Sequence, residues 1–325
     1  MRFSLLVALA LATFCQAGYF KGITSDYSFG LSQDDLYDWM SRIRNDAPVS
    51  SLSIPGTHNS MTYSLTENKN LQGQLDTLAR QLKGGIRFID IGSRRNGEKI
   101  GVFHGGTYTE HDLDEVFSVV FGFLDYYESE SVIMRIHKDS WPLGESSAFK
   151  NNMNRYLGPT GQFKDSVKNR LYTHPGPYDT WAPKMGDIRG KLVILQDFST
   201  KPAGRFGIPW KSSSISATEW KISKGRVGVN YKWSSIETGI RAANEDTENK
   251  LHITYTGVSF GTAPFMAAGG KSLNQKGMND MLGEFLKDDN VDRAGIVAVD
   301  FPGDKLVREI LKRNRPFCYG SPSSS

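Results

Sequence analysis

Short apolar, β-branched runs recur along the chain at 49–54, 86–91, 100–103, 132–136, 192–195, 227–231, 251–256 and 296–299. Each has the length of a buried strand. Most are separated by stretches with apolar residues at helical spacing: 71–83, 113–127, 148–156, 163–172, 235–244, 274–287 and 305–313. Strands alternating with helices predict a parallel sheet covered by those helices, because a parallel connection must cross the sheet face. Eight repeats fit a closed (β/α)₈ barrel better than an open sheet. The irregular crossovers at 140–190 and 199–226 make it an imperfect one. Ahead of the first strand, Leu36, Trp39, Met40 and Ile43 share one face and predict an entry helix over 33–45. The expected fold is α/β, a single-domain imperfect TIM barrel over 49–315. An N-terminal segment over 18–48 precedes it, and a disordered Ser-rich tail over 316–325 follows.

The longest apolar stretch lies at the N-terminus. Met1-Arg2-Phe3 leads into Leu5 to Ala12 and ends at Gln16-Ala17-Gly18, the basic start, short apolar core and small-residue end of a secretory signal. Residues 1–17 are therefore expected to be removed, leaving a secreted, extracellular protein; a lipid anchor through Cys15 is disfavoured by the bulky Phe14 before it. No run reaches the length of a membrane span. With Cys15 gone, Cys318 stands alone, so stability must come from the core rather than from a disulfide. A net charge of +4 without a basic tract gives no sign of nucleic-acid binding. Nothing points to an oligomer, and a monomer is the default.

Barrels of this kind carry their chemistry where strands run out into βα loops. The first run continues into Pro55-Gly56-Thr57-His58-Asn59-Ser60, the second into Asp90-Ile91-Gly92-Ser93-Arg94-Arg95 and the third into His104-Gly105-Gly106. The fourth ends in His137-Lys138-Asp139, the fifth in Gln196-Asp197, the sixth in Asn230-Tyr231-Lys232-Trp233 and the eighth at Asp300. Two imidazoles, His58 and His104, facing one mouth suit general base and general acid work near neutral pH. Asp90 and Asp300 come from other strands and could orient or charge-balance them. Blander readings stand beside these: Asp90 as a helix cap or arginine partner, Asp300 as a cap, and His137 as a hydrogen-bonded structural residue. His111, His174 and His252 read as surface or packing residues. No zinc-ligand spacing and no Walker or dinucleotide fingerprint occurs. Two loops, 206–210 and 260–266, carry aromatic and apolar residues suited to a membrane interface, with Trp210, Phe260, Phe265 and Met266 as the expected contacts. The competing reading folds those side chains back on the barrel.

Ser53-Ile54-Pro55-Gly56-Thr57-His58-Asn59-Ser60, Gly85-Ile86-Arg87-Phe88-Ile89-Asp90-Ile91 and Val102-Phe103-His104-Gly105 together resemble the catalytic X region of phosphatidylinositol-specific phospholipases C. The likeness is greatest to the small secreted bacterial-type enzymes. Segments 130–134, 190–195, 251–256 and 296–301 follow in order and spacing, so the resemblance runs from 49 to 311. It implies cleavage of phosphatidylinositol, and of glycosylphosphatidylinositol anchors, between phosphate and diacylglycerol. The inositol 2-hydroxyl attacks phosphorus and an inositol 1,2-cyclic phosphate results. In that scheme His58 is the general base, His104 the general acid, and Asp300 orients His58.

Two positions depart from the bacterial pattern, which has an aspartate after the first histidine and an arginine two residues after the strand-two aspartate. Here these are Asn59 and Gly92. The phosphate charge then falls to Arg94 or Arg95 of the same loop, the favoured solution, with no cofactor. The alternative is Ca²⁺ on Asn59 and Asp90, as in calcium-dependent relatives, although Ca²⁺ takes six to eight oxygens and the set here is short. The resemblance places Asn59, Lys138, Asp197 and Tyr231 at the substrate, Tyr231 as the aromatic under the inositol ring. The implied partner is an inositol phospholipid met at a membrane surface by peripheral, transient binding. Two other functions remain open: a phosphodiesterase for another lipid headgroup, and a catalytically impaired lipid-binding relative.

Overall fold

The computed structural model describes residues 25–139, 146–219, 229–257, 263–270, 276–288 and 290–320. The expected signal segment and Phe260 lie outside the described residues. The strands are β1 (Ile54–Thr57), β2 (Phe88–Asn96), β3 (Lys99–His104), β4 (Thr107–Asp112), β5 (Ser131–Lys138), β6 (Lys191–Asp197), β7 (Ile208–Pro209), β8 (Ile215–Thr218), β9 (Leu251–Tyr255) and β10 (Ile296–Val299). Among the described residues they form one sheet in the order β7-β6-β5-β2-β1-β10-β9-β8, with every neighbouring pair parallel. This curled parallel sheet, covered by helices, is the imperfect barrel.

Two of its staves differ from the expected ones. β3 is not a stave: it folds back on β2 as an antiparallel hairpin and pairs in turn with β4. The link between β2 and β3 is two residues long, with Gly97 at φ +61°, and no parallel crossover is that short. The 227–231 run gives no strand either. Its described part opens the Val229–Glu245 helix, and the stave beside β9 is β8, a less apolar Ile-Ser-Ala-Thr segment. β1 also begins later than expected, because 49–51 form a 3₁₀ turn.

Alternation along each strand separates two faces. Ile54, Phe88, Ile133, Val193, Leu195, Ile253, Tyr255, Ile296 and Ala298 belong to one buried cluster, the barrel interior. Residues of the other parity pack on the helices: Ile89, Ile91, Met134, Ile136, Leu192 and Ile194 with Val116, Phe117 and Val120 of the Leu113–Tyr126 helix, and Val297 and Val299 with Ile236, Leu282 and Leu306. Gly56 is required by the interior. A Cβ there would lie 2.8 Å from the Phe88 ring that fills the barrel.

The N-terminal segment closes the barrel floor. Trp39, Met40, Ile43, Ala47, Val49 and Leu52 join the interior cluster. Only Trp39–Arg42 coil, as a 3₁₀ turn, where the apolar spacing predicts a helix over 33–45. Tertiary partners take the groups a helix would need: the Met40 amide donates to Glu130 (3.1 Å), and the Arg189 guanidinium donates to the Met40 and Ile43 carbonyls. The start of the expected tail is also built in. The Arg44 amide donates to the Phe317 carbonyl and the Tyr319 amide to the Arg42 carbonyl, at 2.8 and 2.9 Å. Residues 317–319 therefore pair with the entry segment, and their backbone is not free to be disordered.

Candidate active site

Continuing the inward parity of each stave beyond the apolar interior places His58 after β1, Asp90 on β2, Arg135 and His137 on β5, Asp197 on β6, Tyr255 and Gly257 at the end of β9, and Asp300 after β10. Polar side chains thus crown an apolar floor at the carboxyl ends of the strands, where such barrels hold their chemistry. His104 arrives separately, at the tip of the β3 arm.

His58 Nδ1 lies 3.0 Å from Asp300 Oδ1, and the Asp300 side chain is nearly buried. The carboxylate accepts from Nδ1–H, which leaves Nε2 with its lone pair. The Asn59 Nδ2 amide lies over the face of this ring, 2.9 Å from Nε2 and 3.4 Å from Nδ1, and the same nitrogen is 3.5 Å from His104 Nε2. The two imidazole centroids are 6.2 Å apart, with the rings at 78°. Both Nε2 atoms therefore address one small volume, with the carboxamide between them.

Local structure holds these groups. Gln74, 1% exposed, donates to the His58 and Val299 carbonyls at 2.8 and 2.9 Å, locking the β1 loop to β10. Buried Asn279 donates to the carbonyls of Asp300 and Phe301, fixing the bend that carries the aspartate. Gly257 must lack a side chain: its Cβ would lie 2.6 Å from His58 Nδ1 and 2.7 Å from Asp300 Oδ2.

Charge separates the two rings. Burial pushes the His58 pKa down, but the Asp300 carboxylate, by charge and hydrogen bond, outweighs it and the net pKa is raised. His104 is pushed down to about 4, by burial first and then by the charge of His58. Of the two rings, His58 is therefore the one that takes up a proton first as pH falls.

Several expected residues sit elsewhere. Tyr231 lies on the Val229–Glu245 helix and is 68% exposed, so its ring does not floor the cavity; the next residue, Lys232, is the buried one. The aromatic beside the histidine is Tyr255, its ring edge-on to His58 at 5.5 Å. Lys138 has the helix-facing parity, with its ammonium 5.1 Å over the Phe149 ring, leaving His137 to face inward. Asp197 does line the cavity, held by Arg135 Nη2 at 2.5 Å. Trp210 is no free membrane anchor: the Arg135 guanidinium stacks 4.0 Å from its ring centroid. Phe265 and Met266 lie on the Pro264–Gly269 helix, half-buried, with Phe265 against Ala268 and Phe301.

Residues 45–197 match the family described as phosphatidylinositol-specific phospholipase C, X domain. The chain is similar to the 1-phosphatidylinositol phosphodiesterase of Listeria monocytogenes, 29% identical over 292 residues that cover 85% of this chain and 84% of that protein. It is also similar to the Staphylococcus aureus protein of the same name, 22% identical over 94% of this chain and 97% of that one. The chain is thus similar to phosphatidylinositol-specific phospholipases C, through the X-domain match at 45–197 and through these relatives over most of its length. The solved Listeria monocytogenes phospholipase C of this name shares the fold, with a TM-score of 0.69 at 24% identity over 86% of this chain and 98% of that one.

In this chain Gly92 has no room for a side chain. A Cβ would sit 2.4 Å from the Phe103 carbonyl oxygen and 3.3 Å from the His137 ring. Nor does Arg94 fill the role expected of it. It lies farther out on β2, paired with Gly101 of the β3 arm, its guanidinium against the Phe103 ring at 5.7 Å. Arg95 is exposed on the same arm. Among the described residues, the cations buried at the cavity are Arg135 and Lys232, neither singled out by the sequence. Arg135 holds Asp197, Glu219 at 2.5 Å, the Tyr255 hydroxyl at 2.9 Å and, at 3.7 Å, Asp90. Lys232 is buried and falls to about 8, mainly by burial, with Asp300 and Glu219 opposing the drop. An arginine inside an otherwise apolar strand was the available signal for Arg135. The misassigned strand at 227–231 hid Lys232.

The calcium alternative does not fit the donor set. Asp90 Oδ1 is buried without a hydrogen bond, but 3.7 Å from it lie two nitrogens, Arg135 Nη1 and His137 Nε2. Burial raises the Asp90 pKa, yet the charges of His137, Arg135 and His58 outweigh it and hold the carboxyl below its ordinary value. A divalent ion would have to share that oxygen with a guanidinium, beside Gly92, which offers no oxygen from a side chain. No group of three or more His, Cys, Asp or Glu among the described residues is placed to hold a metal.

Proposed function

We propose that this protein is a secreted phospholipase C-type phosphodiesterase that cleaves phosphatidylinositol to diacylglycerol and inositol 1,2-cyclic phosphate, acting transiently at a membrane surface without a metal. One observation carries the reading: the Nε2 atoms of His58 and His104 face each other across the Asn59 amide, with Asp300 behind His58. The names of the similar Listeria and Staphylococcus proteins support the substrate.

His58 Nε2 takes the proton of the inositol 2-hydroxyl as that oxygen attacks phosphorus. The bond from phosphorus to the glycerol oxygen breaks, and His104 Nε2 protonates the departing oxygen. Asp300 holds His58 in the accepting tautomer and stabilises the imidazolium that forms. The seated phosphodiester anion moves the shared proton toward His104, since an adjacent negative charge favours the charged ring. Exchanged roles then let water open the cyclic product. Glycosylphosphatidylinositol anchors carry the same reacting bond and are included in the substrate class. No described helix is long and apolar enough to cross a membrane, and contact with lipid is peripheral.

Phosphorus NMR of the products tests the reading: the cyclic inositol phosphate signal should appear before the open monoester. His58→Ala and His104→Ala should each lose at least about 10²–10⁴-fold in rate. Activity in EGTA should equal activity with added calcium. Calcium-restored turnover would overturn the metal-free mechanism.

A further inference from the structure

We propose that Asn59 is a catalytic residue, its Nδ2 amide donating to the non-bridging oxygens of the phosphoryl group as the reaction passes through its transition state. The proposal rests on the phosphodiesterase reading of the site and names the donor that reading lacks.

In-line displacement puts the attacking and leaving oxygens at opposite ends of the phosphorus, with the remaining oxygens around its waist. The base serves one end and the acid the other. A group lying between the two Nε2 atoms must therefore face the waist. Asn59 Nδ2 is that group, 2.9 Å from His58 Nε2 and 3.5 Å from His104 Nε2. Asp300 holds the Nδ1 proton of His58, which leaves the in-plane Nε2 lone pair to the inositol hydroxyl, while the Asn59 amide nitrogen stands over the ring face. The amide hydrogens are not engaged by that lone pair and are left for the phosphoryl oxygens.

Two of the other candidates are spent or shut out, and Lys232, buried near Asp300, supplies charge to the cavity. A side chain at position 92 would collide with the Phe103 carbonyl. Arg135 donates to Asp197 and the Tyr255 hydroxyl and is ion-paired with Glu219, and Trp210 stacks on it. Asn59, in contrast, is held in place by its backbone. Its φ is +47°, a left-handed conformation uncommon outside glycine. Its carbonyl accepts from the Thr62 hydroxyl and amide at 2.7 and 3.0 Å, and its own N–H donates to Asp90. The Thr62 hydroxyl accepts from Gly73, whose carbonyl accepts from Phe301, so the donor is tied to the bend that carries Asp300. Strain kept in this way at a cleft is the mark of a preorganised group.

The test uses the full chain on phosphatidylinositol in detergent micelles, with His58→Ala as the control for the site itself. Asn59→Gly accepts the left-handed backbone and removes only the donor. Its kcat should fall by about 10²–10³-fold, the usual loss for one such donor, with KM within about threefold of wild type and an unchanged melting temperature. Asn59→Asp keeps the shape but adds charge where the anion sits. It should fall further, and the imidazole pKa values followed by NMR should rise. If Asn59→Gly or Asn59→Asp keeps kcat within about threefold while His58→Ala is inactive, the proposal is wrong and the phosphodiesterase reading stands. A wild-type chain inert on this substrate overturns both.

Discussion

The His58–Asp300 couple makes a pH prediction with a definite sign. Asp300 raises the His58 pKa above its ordinary value against the pull of burial. A protonated imidazole cannot accept the 2-hydroxyl proton, so kcat/KM is lost as pH falls through that raised pKa. Asp300→Asn removes the carboxylate's charge while keeping its shape. The acid limb of the profile should then move to lower pH, while the maximal rate falls at least about tenfold because the ring loses its orienting partner. A limb left in place would mean that another group sets it. The residue scale is also where the sequence was most legible. His58, His104, Asp300 and Asp90 each lie at a strand end beside glycine or in a polar break in an apolar run, and the structure gathers all four. Asn279 and Gln74 were illegible, since their work is to donate to carbonyls far away in sequence.

Elements were read less evenly. The long amphipathic helices, such as Leu113–Tyr126, and the staves with apolar centres, β2, β5, β6, β9 and β10, stand where periodicity predicts them. β7 and β8 were missed because a two-residue strand and an Ile-Ser-Ala-Thr strand have no apolar run to detect. The 227–231 run misled because Val-Gly-Val-Asn-Tyr has strand composition, while the described residues from Val229 onward join a helix whose Ile236 and Ile240 pack on β10. The segment just after β7 matters for a different reason from the expected one. Trp210 covers Arg135, and Arg135 spaces Asp197 and Glu219 at the cavity wall. Trp210→Ser should therefore raise KM or lower kcat on a micellar substrate several-fold while leaving vesicle binding unchanged. Lost vesicle binding with normal micellar kinetics would return Trp210 to the membrane.

At the scale of the whole molecule, the barrel floor is fastened by one buried ion pair. Arg87 and Glu130 are both fully buried, 2.7 Å apart, with the guanidinium also donating to the Leu82, Ile86 and Tyr37 carbonyls. Burial lowers the Arg87 pKa against the support of Glu130, which measures how much the charge depends on its partner. Glu130→Ala leaves a buried guanidinium uncompensated and should cost about 3–5 kcal/mol of stability, read from the denaturation midpoint. A loss below about 1 kcal/mol would mean that the Met40 and Arg87 contacts re-form without it. No disulfide among the described residues shares this load, since Cys318 is free.

The proposed acid and base ride on supports of different build. His58 follows a stave flanked on both sides by parallel neighbours, whereas His104 stands at the end of an antiparallel arm hung from the outer half of β2. Bending that arm changes how well the departing oxygen is protonated while attack on phosphorus proceeds as before. Loosening it, for example with Gly101→Ala, whose Cβ would press on the Phe103 and Tyr108 rings at 2.8 and 2.9 Å, should slow natural lipids whose alkoxide needs a proton. An inositol p-nitrophenyl phosphate, which expels a stable phenolate, should turn over almost unaffected, so the ratio of the two rates gauges the arm's rigidity.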